Sequence, residues 1–157
     1  MNGAQRILLF LAATLLIAAC SKEDQVIFVS NDDPEMVAAI AKARDTLPKF
    51  WQVFEKPGEG ESDFSLKVKI TEGQDAEYFW LVNLERVNGK TFGTISNDPN
   101  IVGNVKVGDR IEIPEADITD WLYMRNGKMV GNTTMRVLFK QMPASDVEYY
   151  KNILVEP

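Results

Sequence analysis

The sequence predicts an α+β domain: a curved antiparallel sheet of about five or six strands, an N-terminal helix packed on one face and a short C-terminal helix. Three observations carry that expectation. Apolar residues recur at helical spacing from Val37 to Leu47, and they alternate strictly at Phe64, Leu66, Val68 and Ile70. The pairs Asn88-Gly89 and Asn126-Gly127 tolerate the positive φ angles of tight hairpin turns. Residues 31–157 are the length of one ordinary domain, enough to bury a core.

Taken in order, Lys22, Glu23, Asp24 and Gln25 read as a solvated tether within residues 20–30, and Val26-Ile27-Phe28-Val29 can form a first edge strand. Asp32-Asp33-Pro34-Glu35 is a helix start, with an aspartate to accept free backbone N–H groups and proline in the first turn. Val37, Ile40, Ala41, Arg44 and Leu47 then form a stripe expected to lie on the sheet, with Arg44 at its margin. Pro48 disfavours helical geometry at Leu47, so Phe50, Trp51 and Phe54 are expected in a second short helix or a kinked continuation.

A polar, glycine-rich loop at 56–62 precedes the alternating strand, whose wet face carries Ser65, Lys67 and Lys69. The two lysines read as edge protection and solubility. Residues 77–86 form the next strand, turned back by Asn88-Gly89. Asn97-Asp98-Pro99-Asn100 breaks the sheet, and Val107-Gly108-Asp109-Arg110 leads into Ile111-Glu112-Ile113. Residues 118–124 and 129–139 flank the second Asn-Gly turn, and from Pro143 onward a helix begins near Ser145 or Asp146.

Composition narrows the chemistry. The chain has 23 acidic and 17 basic residues, a net charge of −6, so it is not expected to bind nucleic acid, whose affinity comes from lysine and arginine on phosphates. It contains no histidine, which removes the usual general base, the usual partner of a serine nucleophile and the commonest metal ligand. Its one cysteine, Cys20, cannot form an internal disulfide. No cofactor or metal is expected.

Residues 7–19 are an apolar run preceded by Arg6 and closed by Ile17-Ala18-Ala19. This is the layout of a secretory signal peptide, and it is too short for a membrane span of roughly 20 residues. Cys20 directly after it resembles the lipobox of bacterial lipoproteins. That resemblance implies cleavage after residue 19, acylation of Cys20 and attachment to a membrane through the lipid. Ser21 in place of aspartate implies, by the enterobacterial pattern, the outer membrane facing the periplasm.

Several stretches recur in a recognisable order: Ala43-Arg44-Asp45-Thr46-Leu47-Pro48-Lys49-Phe50, Glu77-Tyr78-Phe79-Trp80, and Gly93-Thr94-Ile95-Ser96-Asn97-Asp98-Pro99. Val107-Gly108-Asp109, Ile118-Thr119-Asp120-Trp121-Leu122-Tyr123 and Gly131-Asn132-Thr133 follow. The series resembles the YegJ-like family of bacterial domains of unknown function (domain of unknown function 2314). The resemblance implies no activity or catalytic residues.

Candidate binding residues are Glu77, Trp80, Asp120 and Trp121, two strand tryptophans each close to a carboxylate. An aromatic wall beside an acid suits a sugar or a cation, although core packing is the stronger explanation for strand tryptophans. Alternation puts Asp120 opposite Trp121 and Tyr123 and on one face with Ile118, Leu122 and Met124. There it either caps backbone donors or is buried beside Arg44, Arg110 or Arg136. The favoured function is non-enzymatic binding of an envelope protein or glycan, through an exposed sheet edge or a shallow aromatic groove. The alternatives are a hydrolase of envelope glycans using Glu77 and Asp120, and a carrier of a small amphipathic ligand.

Overall fold

Asp33 opens the first helix by accepting hydrogen bonds from the backbone N–H groups of Glu35 and Met36 at 2.9 and 3.0 Å. The structure, a computed structural model, describes residues 33–157. The leader, Cys20, the tether and Val26–Val29 lie outside the described residues. Helix α1 runs Pro34–Glu55 through Pro48, so Phe50, Trp51 and Phe54 lie in a continuation of the helix and not in a second short one. Proline lacks the N–H that would bond to the Arg44 carbonyl, yet the aromatic residues beyond it keep the helix on the sheet.

The helix is rotated relative to the expected stripe. Ala39, Ala43, Leu47 and Phe50 are the residues it buries, whereas Val37 is 51% exposed. The reason is steric and polar together. Two alanines let the backbone approach closely enough for the Trp121 indole N–H to donate to the Ala43 carbonyl at 2.9 Å.

The strands are β1 (Glu61–Glu72), β2 (Asp75–Val87), β3 (Lys90–Ile95), β4 (Arg110–Ile113), β5 (Ile118–Arg125), β6 (Lys128–Gly131) and β7 (Leu154–Val155). Among the described residues they form one seven-stranded sheet in the order β4-β3-β2-β1-β5-β6-β7, antiparallel except for the β6–β7 pair. Both Asn-Gly turns form, with positive φ at Asn88, Gly89, Asn126 and Gly127. Strand β1 lies at the centre. Lys67 and Lys69 are therefore not edge residues, because an alternating pattern reveals which face is wet and not which neighbours a strand acquires.

The second hairpin arm stops at Gly131 instead of running to residue 139. Gly131 has φ +87°, and a Cβ there would lie 2.7 Å from the Trp121 ring. The chain turns away and forms helix α2 (Met135–Leu138) and helix α3 (Ala144–Ile153). Pro143 precedes α3, and neither Ser145 nor Asp146 caps it; the Ser145 hydroxyl donates to Asp146.

Phe50, with no exposed surface, sits at the centre of the core against Trp51, Phe54, Phe64, Trp121 and Tyr123, with ring centroids 5.0–6.5 Å apart. Removing such a ring costs about 3–5 kcal/mol. Among the described residues no helix is long and apolar enough to cross a membrane.

Candidate functional site

The sheet has two unlike faces. Leu66, Val68, Phe79, Leu81, Ile118 and Trp121 point towards α1 and are buried with Leu47 and Phe50. Lys67 pairs with Trp80 on one side and Asp120 on the other. Strand alternation puts this row of three on the face opposite α1.

A register shift separates the pairs Lys67–Asp120 and Val68–Ile118, leaving Thr119 as an extra residue. This bulge returns Ile118 to the core and corrects the expectation that Ile118 shares a face with Asp120. The Thr119 hydroxyl donates to the Lys67 carbonyl at 3.1 Å and ties the bulge to the central strand.

Asp120 has no exposed surface. One oxygen, Oδ1, accepts from the N–H groups of Trp121 at 2.8 Å and Thr133 at 3.2 Å. The other accepts from the Thr134 N–H and hydroxyl, both at 2.7 Å. It is thus a buried cap of the chain leaving β6. Its cationic neighbour is Lys67 in place of an arginine: Arg44 donates to the Ile118 and Ala116 carbonyls, Arg110 pairs with Glu85, and Arg136 with Glu156.

The Lys67 ammonium donates to the Thr134 hydroxyl oxygen at 3.2 Å, while that hydroxyl gives its single proton to Asp120. It also lies 5.7 Å from the centroid of the Trp80 ring. Burial pushes the Lys67 amine below its ordinary range, and the charge of Asp120 works the other way. Of three ammonium protons, two have no protein acceptor among the described residues. The indole N–H of half-buried Trp80 likewise has no partner there, although its backbone N–H donates to Asn97 at 2.9 Å.

Glu77 and Trp121 stand elsewhere. Glu77 accepts from the backbone N–H groups of Asn100, Ile101 and Val102 at 2.8–3.3 Å, which fastens the loop between β3 and β4. Partial burial works to raise its pKa, but these donors and the Asn100 side chain outweigh it and hold the carboxyl below its usual range. Trp121 is 1% exposed and belongs to the core. Of the four candidates, the fold brings Trp80 and Asp120 onto one face, with Lys67 between them, and separates Glu77 and Trp121 from them. Lys67, Thr133 and Thr134 were not singled out as site residues by sequence, because their roles depend on cross-strand register.

Chemically, Asp120 has its acceptor sites occupied and no exposure to a ligand. The row instead presents an aromatic surface, an indole donor and a largely buried amine. Among the described residues no group of three or more acids or thiols is arranged to hold a metal ion.

Residues 33–154 match the family described as "Uncharacterized protein conserved in bacteria (DUF2314)". The chain is 34% identical over 153 residues to uncharacterized protein YegJ of Escherichia coli strain K12, covering 96% of this chain and 99% of that protein. It is also 29% identical over 129 residues to a putative ankyrin repeat protein of Neisseria meningitidis serogroup B, covering 76% of this chain and 51% of that protein. No solved structure matches the chain.

Proposed function

The chain belongs to the DUF2314 family of uncharacterized proteins conserved in bacteria, and from that premise we propose that it is a non-enzymatic binding domain of the bacterial envelope. It is anchored by lipid on Cys20 in the outer membrane, faces the periplasm, and engages an envelope component with the sheet face that α1 leaves uncovered.

One observation carries the reading: Trp80 and Lys67 lie side by side on that face with donors unspent, whereas the candidate carboxylates are committed to backbone N–H groups. The hydrolase alternative needs two acids on one bond, about 5–10 Å apart. Glu77 pairs with Ile70 and Asp120 with Lys67, positions of opposite parity on β1, so the two acids leave the sheet on opposite faces.

A photo-reactive amino acid at position 80 tests the binding face in living cells, with position 149 on α3, 58% exposed, as the control. Envelope adducts from position 80 and none from position 149 are expected. Equal labelling at both, or none at either, overturns the reading. The variant Cys20→Ser is expected to leave the membrane fraction, and retention there overturns the lipid anchor.

A further inference from the structure

We propose that the sheet face opposite α1, around Trp80 and Lys69, binds a saccharide bearing a carboxylate, with Trp80 stacking on the sugar ring and Lys67 and Lys69 taking the acid group. The inference rests on that face being the binding surface and adds the chemical class of the ligand.

Charge is the first argument. The molecule carries a net charge of −6, and many of its cations have carboxylate partners: Lys42 with Glu156, Arg86 with Glu55, Lys90 with Glu112, Arg125 with Glu61 and Lys140 with Glu35. Among the described residues Lys67 and Lys69 form no ion pair and Lys69 makes no hydrogen bond. Both lie on the central strand, Lys69 partly exposed and Lys67 with its amine largely buried. Lys69, a cation with no carboxylate partner among the described residues of an acidic molecule, makes a local site for an anion, with Lys67 beside it in the field of Asp120.

Geometry supplies the second argument. Lys67 faces Trp80 and Lys69 faces Tyr78 across the β1–β2 ladder. Four side chains thus rise from a rectangle of about 5 by 7 Å, the footprint of one or two sugar rings. A tryptophan offers stacking area together with an N–H for a hydroxyl. A carboxylate placed between the lysines accepts charge-assisted hydrogen bonds from Lys69 and from the Lys67 protons that Thr134 does not take.

Other anions fit less well. Strands β1 and β2 are both internal to the sheet, with their backbone groups paired on either side, so an extended acidic peptide gains no main-chain hydrogen bonds there. A nucleic acid longer than the two-lysine patch meets a molecule of net charge −6.

The test titrates the full chain, held in detergent, with a trisaccharide of glucuronic acid and with the matching trisaccharide of glucose, by calorimetry. The uronate is expected to bind at least ten-fold more tightly. Lys69→Met, which keeps the apolar stem at a position with no polar partner among the described residues, is expected to weaken uronate binding at least five-fold and leave the glucose trisaccharide unaffected. Trp80→Leu is expected to weaken both, with folding checked by circular dichroism. Equal affinity for the two sugars, an unchanged Lys69→Met variant, or preference for an acidic peptide or a single-stranded oligonucleotide overturns the assignment. Adducts from position 80 in cells without uronate preference overturn the ligand class alone. Loss of both results removes the binding-face reading as well.

Discussion

A carboxylate taken out of water loses several kcal/mol of solvation unless donors replace the water. Asp120 survives burial because three backbone N–H groups and one hydroxyl surround it. Asp120→Asn turns one acceptor into a donor facing those donors. A stability loss of about 1–3 kcal/mol is expected in urea unfolding. The same variant removes a negative charge that favours the ammonium form of Lys67. The Lys67 amine should therefore titrate still lower, as read by NMR of its side chain. Gly131 gives a second residue-level case, because its left-handed φ and the nearby Trp121 ring both exclude a side chain. Gly131→Ala is expected to lower stability by about 3 kcal/mol in the same assay.

At the scale of elements, the loop between β3 and β4 is held by acids at one end of the β1–β2 hairpin. Glu77 takes three consecutive backbone N–H groups, and Glu72 takes the N–H of Gly103 at 2.6 Å. These bonds seat Val102, 3% exposed, in the core. Because folding depresses the Glu77 pKa, its contribution is fully present above the unfolded carboxyl pKa and is lost as pH falls through the lower folded value. Glu77→Gln should show a shallower acid limb in stability against pH, together with faster amide exchange at residues 100–102. An unchanged acid limb would mean that the strap owes nothing to the charge.

Across the whole molecule, the sheet and α1 are joined by packing around Phe50 and Trp121. The chain's only cysteine is Cys20, so no intramolecular disulfide contributes. The thermal midpoint of the monomer is therefore expected to be the same with and without a reductant in a scanning calorimeter. A drop with the reductant would reveal a cross-link between chains.

The features that the sequence determined are those set by residues close along the chain. Asp33 and Pro34 start a helix because cap chemistry acts within one turn. The Asn-Gly pairs turn hairpins because their backbone freedom is intrinsic, and the alternation in β1 separates its two faces. The family pattern and the residue types absent from the chain are legible in the same way. Tertiary structure decided the rotation of α1, the central place of β1, the addition of β7 and the early end of β6. It also set Lys67 between Trp80 and Asp120 and gave Glu77 to a loop more than twenty residues away. Each depends on which strands become neighbours and in what register. That choice follows from the packing of distant side chains, such as Trp121 against the helix at Ala43, which no local pattern encodes.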